Sequence, residues 1–164
     1  MMKNPKHLVA TAYDVIAEAY LGRYASSSVR EKWLDRLIEE MPAHGRDVLD
    51  LGCGAGIPVA RELANRGFSV TGVDVSTEQI NRARTNVPEA KFVQADMSAV
   101  AFDPERFDAI GAFYSITHIP AAEQGDLFKL IAKWLKPGGV FVASLGTGAA
   151  GDWIGGVVGN EYVL

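Results

Sequence analysis

The most constraining feature of this sequence is a regular alternation of short apolar runs with longer segments of helical periodicity. The apolar runs predict buried strands, and apolar residues spaced three and four positions apart predict the helices between them. Strands that alternate with helices form a parallel sheet covered by helices on both faces. The sequence therefore predicts an α/β fold, with strands at residues 47–50, 68–73, 91–95, 107–113 and 140–145.

Local signals indicate where the elements begin and end. Pro58 suits the first turn of a helix, and Gly67 suits the position just after its end. Ser76 and Gln79 have the spacing of a capping box at the start of the next helix. Proline and glycine at residues 137–139 predict a turn before the fifth strand.

Two helical segments precede the first strand. The second begins at a capping box formed by Ser28 and Glu31, and its apolar residues recur at helical spacing. We expect its Trp33, like Trp134 of the last helix, to belong to the core. The first segment, at about residues 7–24, places three tyrosines on one side, either as a lid over a ligand or as a packing surface: Tyr13, Tyr20 and Tyr24.

Composition narrows the class of protein. The chain has 164 residues, of which 48% are apolar, and this is sufficient for one globular domain. The single cysteine excludes an internal disulfide, and three scattered histidines disfavour a metal site. A net charge of −4 does not favour nucleic acid as a partner, and the apolar runs fall short of the ~20 residues of a membrane span. We therefore expect a small cytoplasmic domain without a metal, nucleic-acid or membrane partner.

A glycine-rich turn at residues 52–56 joins the first strand to the next helix. In this geometry, backbone N–H groups and a helix N-terminus meet a polar ligand. The turn departs from the dinucleotide pattern G-x-G-x-x-G, because Gly56 comes one residue early and Ile57 takes the third glycine position. Asp50, two residues before Gly52, would repel a pyrophosphate. The turn therefore predicts a ligand with a cationic or zwitterionic part near Asp50.

Two more acids end the second and third strands. Asp74 lies 22 residues after Gly52, where a carboxylate can accept two hydrogen bonds from ribose hydroxyls, and Asp96 stands next to Met97. Because the carboxyl ends of parallel strands meet at one edge of a sheet, these acids and Asp50 predict a single ligand crevice. The alternative is that each acid only caps the helix or turn that follows it.

Taken in order, these motifs resemble those of the class I S-adenosylmethionine-dependent methyltransferases that act on small molecules. Residues 48–56 are similar to the family's first motif, residues 72–74 to its ribose-binding acid and residues 94–97 to its adenine-side segment. Residues 107–110 resemble its entry to the fourth strand, and residues 135–139 its turn before the fifth. The resemblance extends from residue 8 to about residue 146.

The resemblance implies a Rossmann-like, doubly wound parallel sheet with strand order 3-2-1-4-5, preceded by N-terminal helices. It also implies S-adenosyl-L-methionine as cofactor, S-adenosyl-L-homocysteine as product and a small-molecule methyl acceptor. Asp50 and Gly52 would lie near the methionine part, Asp74 at the ribose, and Asp96 with Met97 at the adenine. The implied cofactor-binding residues are Tyr13, Tyr20, Asp50, Gly52, Cys53, Gly54, Asp74, Val75, Asp96, Met97 and Phe113.

Methyl transfer from a sulfonium is a displacement that mainly requires positioning, so the reaction needs no metal and no covalent nucleophile. His118, after the fourth strand, is either a general base for a hydroxyl acceptor or a structural histidine near a helix start. We expect Cys53 to be a small buried residue of the turn. Two alternatives to a complete enzyme stay open: a non-catalytic S-adenosylmethionine-binding module, and half of an enzyme completed by a partner.

We expect one domain, with N-terminal helices at residues 1–45, a cofactor-binding core at 46–145 and a glycine-rich tail at 146–164. Members of the family continue with a sixth and seventh strand, so the resemblance implies a C-terminally shortened sheet that lacks both. The apolar strand at residues 140–145 would then be a sheet edge without charge or proline. We predict a homodimer through this edge, with the tail folded over it as the alternative.

Overall fold

The computed structural model describes residues 28–145, 156–158 and 161–163. The predicted helix at residues 7–24, with Tyr13, Tyr20 and Tyr24, lies outside the described residues. The described helices are α1 (Ser28–Glu40), α2 (Val59–Asn65), α3 (Thr77–Asn86) and α4 (Ala121–Trp134), and a short 3₁₀ turn covers Ile116–His118. The strands are β1 (Asp47–Leu51), β2 (Ser69–Asp74), β3 (Lys91–Gln94), β4 (Phe107–Ala112), β5 (Leu135–Ala143), β6 (Gly156–Val158) and β7 (Glu161–Val163).

Five of the strands form one sheet in the order β3-β2-β1-β4-β5, and all neighbouring strands in it are parallel. The predicted α/β fold and the strand order 3-2-1-4-5 are confirmed. The chain moves outward from β1 to β3 and then crosses to β4 on the other side of β1. This reversal opens a crevice at the carboxyl ends of β1 and β4, where open α/β sheets bind ligands.

Helices cover the two faces of the sheet, and β1 divides its side chains between them. Val48 packs in one buried cluster with residues of α1, α2 and α3, including Leu37, whereas Leu49 and Leu51 pack in a second cluster with residues of α4. Because alternate residues of a strand point to opposite faces, Asp50 lies on the same face as Val48. The carboxylate is thereby placed on the side of the sheet that α1 covers.

The boundaries of α2 are close to those predicted. Pro58 stands just before the helix, which begins at Val59, and the chain leaves it at Gly67 with a φ of 84°. The Gly67 N–H donates to Ala64 O at 2.9 Å, which is the expected arrangement after a helix end. Pro58 and Gly67 were sufficient to predict the two ends of α2, because each acts within a single turn of the helix.

Strand β5 begins earlier than predicted. Leu135 already pairs with Phe107, and the pairing resumes only at Val140, which stands opposite Ala109. The residues between them, with Gly138 at a φ of 78°, bulge out of the ladder. The predicted turn therefore exists, but it interrupts the strand instead of preceding it.

The prediction that Trp33 belongs to the core is wrong, because its side chain is 47% exposed. The buried apolar residues of α1 are Leu34 and Leu37, and Met41, directly after the helix, is buried as well. Trp33 precedes Leu34 by one position, which rotates it by about 100° around the helix axis and away from the sheet. Trp134, in contrast, is buried as predicted.

The tail contains a feature that the sequence did not predict. Strands β6 and β7 pair in antiparallel fashion as a separate two-stranded sheet. Within the described part of the chain, β5 pairs only with β4 and forms an edge of the main sheet. Pairing of this edge with a second copy stays a prediction, as does the division into 1–45, 46–145 and 146–164. Of the helices described, none is long and apolar enough to cross a membrane.

Candidate active site

The glycine turn after β1 is fixed by backbone contacts with β2. The N–H groups of Gly52 and Cys53 both donate to Val73 O, at 2.7 and 3.0 Å. Gly52 has a φ of 80°, and a Cβ at this position would lie 2.2 Å from the Cβ of Ser115. Ser115 is itself fixed, because its hydroxyl donates to Leu51 O at 2.6 Å. Position 52 therefore requires glycine for both conformation and space.

The Asp74 side chain, at the end of β2, fixes the glycine turn through a hydrogen bond to its backbone. Its Oδ2 accepts a hydrogen bond from the Gly54 N–H, and its Oδ1 accepts one from the Ser76 N–H, both at 2.9 Å. The side chain therefore links the glycine turn to the start of α3 and also reaches the crevice.

A cleft of about 700 Å³, open to solvent, lies at the carboxyl ends of the strands. The predicted acids Asp74 and Asp96 both line it, so the expectation of a single crevice is met for these two side chains. We call this space the larger cavity. Its lining residues are Gly52, Gly54, Asp74, Val75, Gln79, Ala95, Asp96, Met97, Phe113, Tyr114, Ser115, His118 and Ile119.

The alternative for the acids, that they cap the following turn, also holds in part. Asp96 Oδ1 accepts hydrogen bonds from the N–H and the hydroxyl of Ser98, at 2.9 and 2.8 Å. Asp74 similarly accepts from the Ser76 N–H. Each carboxylate therefore both caps the turn that follows it and lines the cavity.

A smaller cavity of about 470 Å³ lies on the other side of the glycine turn. It shares the wall formed by Gly52, Gly54, Gln79, Phe113 and Tyr114 with the larger cavity, so the two adjoin along the turn. Its other lining residues are Arg30, Asp50, Cys53, Ala55, Ile57, Pro58 and Val59.

Asp50 is a deeply buried acid of the site. Its residue is 2% exposed, and its Oδ2 accepts no hydrogen bond from any described residue. The pKa of Asp50 is raised from 3.8 to about 7, chiefly by burial and also by the nearby charge of Asp74, while Arg30 opposes both. An acceptor that is buried and unpaired is costly in free energy unless a ligand supplies the donor.

Arg30 enters the site from the start of α1. The residue is buried, and its guanidinium carbon lies 5.7 Å from the centre of the Tyr114 ring. Tyr114 has a φ of 57° and its N–H donates to the Ser144 hydroxyl at 2.6 Å. A cation beside an aromatic face and a buried carboxylate can bind a zwitterionic ligand.

Comparison with known proteins assigns the family. A family described as a methyltransferase domain matches residues 48–139, which include the glycine turn, Asp74 and Asp96. The chain belongs to the class I S-adenosylmethionine-dependent methyltransferases. The predicted family is thereby confirmed.

Among the relatives of this methyltransferase is the ubiquinone biosynthesis O-methyltransferase of Paracidovorax citrulli (strain AAC00-1). It is 32% identical over 143 residues, which cover 83% of this chain and 57% of the relative. The enzyme of the same name from Stutzerimonas stutzeri (strain A1501) is 27% identical, with 99% of this chain and 73% of the relative covered. The chain thus spans little more than half of the first relative's length.

Solved structures of other proteins have the same fold as this chain. Phosphoethanolamine N-methyltransferase 2 of Haemonchus contortus, in complex with S-adenosyl-L-methionine, is 27% identical with a TM-score of 0.71, over 85% of this chain and 35% of that chain. A protein of Pyrococcus horikoshii OT3 is 28% identical with a TM-score of 0.66, over 79% of this chain and 64% of that chain.

Cys53 of the methyltransferase is buried in the glycine turn, as expected. Burial raises the pKa of its thiol well above the usual value, and the charges of Asp50 and Asp74 raise it further. The thiol form is therefore retained at neutral pH, and it forms part of the wall of the smaller cavity. A buried thiol in this form does not favour a role as a thiolate nucleophile.

His118 lies in the 3₁₀ turn and lines the larger cavity, with its backbone N–H donating to Ser115 O at 3.1 Å. Burial lowers the pKa of the imidazole, so the ring is neutral at pH 7. A neutral ring is the form in which a histidine accepts a proton. Whether His118 acts as a base stays a prediction, as do the cofactor roles of the predicted residues.

Three residues line the cavities but were not predicted as site residues from the sequence: Arg30, Gln79 and Tyr114. Arg30 stood in the predicted α1 without any signal that it turns inward, because helical periodicity was read from apolar residues only. Gln79 was interpreted as a capping residue. Tyr114 directly follows β4 and Phe113, and its position at the crevice mouth was a signal that could have identified it.

Proposed function

We propose that this methyltransferase binds S-adenosylmethionine across the two adjoining cavities and transfers a methyl group to a hydroxyl of a small molecule. The observation that carries the proposal is the buried Oδ2 of Asp50, which accepts no hydrogen bond from the described residues; the residue lines a cavity together with Arg30. Such an acceptor beside a cation suits the ammonium and carboxylate of an amino-acid group.

The smaller cavity would hold the methionine part of the cofactor. Asp50 would accept a hydrogen bond from the ammonium group, and Arg30 would donate to the carboxylate. The two side chains interact with each other, since Arg30 lowers the pKa of Asp50. A dinucleotide would instead bring phosphates towards Asp50 and Asp74, and like charges repel.

The larger cavity would hold the adenosine part. Asp74 would accept hydrogen bonds from ribose hydroxyls while it keeps its bonds to the turn and to α3. Asp96 and Met97 would border the adenine, together with Val75. The glycine turn separates the two parts and lets the ligand approach the backbone.

S-adenosylmethionine, when bound, supplies an electrophilic methyl group on a sulfonium centre. The residues of this chain would position the acceptor in the larger cavity, whose lining is mainly apolar. Neutral His118 would accept the proton of an acceptor hydroxyl at a ring nitrogen. The proton then remains on the imidazole until it is released to solvent.

The choice of a hydroxyl acceptor is supported by two observations. The relatives from Paracidovorax citrulli and Stutzerimonas stutzeri are named as O-methyltransferases. In addition, a hydroxyl needs a base before or during transfer, and His118 offers one at the cavity wall. The acceptor itself, and the activity of the whole protein, are part of the proposal because the chain covers 57% of the first relative.

The proposal is tested in two steps with the purified chain. First, titration calorimetry measures binding of S-adenosylhomocysteine, S-adenosylmethionine and NAD. We expect the first two to bind and NAD not to bind. Second, cofactor carrying a labelled methyl group is incubated with matched hydroxyl and amine acceptors, and transfer of the label is measured.

The outcomes separate the candidate functions. Binding followed by transfer to a hydroxyl supports the proposal, whereas transfer to amines alone overturns the hydroxyl assignment. Binding without transfer to any acceptor supports a cofactor-binding module or half of a larger enzyme. Binding of NAD, at concentrations where S-adenosylhomocysteine does not bind, would exclude S-adenosylmethionine as the cofactor.

A further inference from the structure

The side chain of Gln79 does not complete the capping box at the start of α3. The Gln79 N–H donates to the Ser76 hydroxyl at 3.1 Å, as in the usual motif. The reciprocal bond would run from the Gln79 side chain to the Ser76 N–H, but that N–H donates to Asp74 Oδ1 at 2.9 Å. Because Asp74 occupies this donor, the Gln79 amide takes a different position.

The Gln79 side chain instead lies beneath the glycine turn. The residue is 2% exposed, and its Oε1 is buried without a hydrogen-bond donor among the described residues. A Cβ at Gly54 would lie 4.0 Å from this oxygen, the nearest heavy atom around that position. Since a buried amide oxygen without a donor costs free energy, the free protein is destabilised at this point.

Gln79 lies at the boundary between the two cavities. It lines both of them, as does the adjacent Gly54. Any ligand that extends from one cavity into the other must pass this wall. We propose that Gln79 is a cofactor-binding residue, whose Oε1 accepts a hydrogen bond from a donor of the cofactor where it crosses from the larger into the smaller cavity.

Two donors of the cofactor meet this description. One is a ribose hydroxyl, and the other is the ammonium group of the methionine part. Either group would donate a hydrogen bond to the Gln79 amide oxygen, and the test distinguishes between them. The inference rests on the proposed function, because it assumes that this cofactor occupies both cavities.

Gln79→Met tests the inference, because methionine has a similar length but offers only a weak acceptor. Asn81→Met is the matched control, since Asn81 is an exposed amide residue of the same helix that lines neither cavity. Affinity for S-adenosylhomocysteine and for 5′-methylthioadenosine, which lacks the amino-acid part, is measured by calorimetry. The thermal unfolding midpoint is measured without ligand.

We expect Gln79→Met to bind S-adenosylhomocysteine about three- to tenfold more weakly, the loss of one hydrogen bond. Its midpoint without ligand should be equal to or higher than that of the wild type, because the unpaired oxygen is gone. A purely structural glutamine would show the reverse, with a lower midpoint and unchanged affinity. Asn81→Met should change neither quantity.

The two ligands then identify the donor. Weaker binding of both ligands indicates a ribose hydroxyl, and weaker binding of S-adenosylhomocysteine alone indicates the ammonium group. Unchanged affinity for both ligands overturns the inference while leaving the proposed function intact. If the wild type binds neither ligand, the proposed function fails and the inference fails with it. Gln79→Leu repeats the test if the methionine variant does not fold.

Discussion

The Asp74 carboxylate holds the Gly54 N–H at 2.9 Å, so a side chain at the end of β2 fixes the backbone of the turn after β1. The same carboxylate holds the start of α3 through the Ser76 N–H. A residue predicted to bind ribose therefore also shapes the turn that the cofactor would approach. Ligand affinity and the stability of the turn are coupled through this one side chain.

Asp74→Ala should therefore change two quantities. Affinity for S-adenosylhomocysteine should fall tenfold or more, because hydrogen bonds to a charged acceptor are worth about 1.5–3 kcal/mol each. The free energy of unfolding should fall by about 1–3 kcal/mol, since two backbone N–H groups lose their acceptor. Calorimetry and urea unfolding measure the two effects.

Asp108→Ala is the control for this prediction. Asp108 Oδ2 also accepts two backbone hydrogen bonds at 2.9 Å, from Arg46 and Asp47, but it lies at the opposite end of the sheet from the cavities. We expect a comparable loss of stability with unchanged affinity. A loss of affinity in both variants would mean that Asp74 acts through the stability of the fold alone.

Gly52 and Gly67 allow the conformational cost of the turn to be separated from its steric cost. Both have positive φ, of 80° and 84°, but a Cβ at Gly67 has no neighbour within 4 Å. Gly67→Ala should lower the free energy of unfolding by about 1–2 kcal/mol, the cost of a left-handed residue. Gly52→Ala should lower it by about 1–3 kcal/mol more, because its Cβ would overlap Ser115.

Urea unfolding of the two variants measures this difference. Equal destabilisation would show that Ser115 moves aside without cost. In that case the requirement for glycine at position 52 would rest on backbone conformation alone.

The strand order and the positions of the acids were predictable because they depend on local patterns. An apolar run followed by Asp50 or Asp74 places an acid at the end of a strand, and parallel pairing then brings such ends to one edge. Trp33 was not predictable from periodicity, since one position along a helix decides between burial and exposure. The early start of β5 depends on pairing between Leu135 and Phe107, which no local signal contains.

The position of the Gln79 side chain was not predictable from the sequence, because two local motifs compete for the Ser76 N–H. Ser76 and Gln79 form a correct capping pattern, and Asp74 two residues before Ser76 forms another. Both motifs use the Ser76 N–H, and only the folded structure shows that Asp74 obtains it. The inward position of Arg30 likewise depends on how α1 packs against the sheet, which is a property of the tertiary structure.

His118→Asn tests the proposed base. If the imidazole accepts the acceptor proton, kcat for a hydroxyl acceptor should fall by about 10²- to 10⁴-fold while affinity for S-adenosylhomocysteine stays unchanged. Because burial lowers the pKa of His118, the wild-type rate should be constant through pH 7 and fall only below the usual range for histidine. A variant that loses affinity and stability but keeps kcat would assign His118 a structural role.

Asp50 should make the stability of the protein depend on pH. Its pKa is about 7 in the folded protein and 3.8 in the absence of burial, so the folded state binds the extra proton between these values. Its contribution to stability is complete below pH 3.8, decreases as pH rises towards about 7, and is lost above it. The slope in this window is at most about 1.4 kcal/mol per pH unit.

Asp50→Asn removes this titration, so the difference in unfolding free energy between wild type and variant isolates the contribution of Asp50 from that of other acids. We measure it by urea unfolding across the window, with and without S-adenosylhomocysteine. An ammonium bound at Asp50 favours the ionised carboxylate, so ligand binding near pH 6 should release a proton from the wild type and none from Asp50→Asn. Calorimetry in buffers of different ionisation enthalpy measures the number of protons released.

Equal proton release by the wild type and by Asp50→Asn would mean that the ammonium group of the ligand does not approach Asp50.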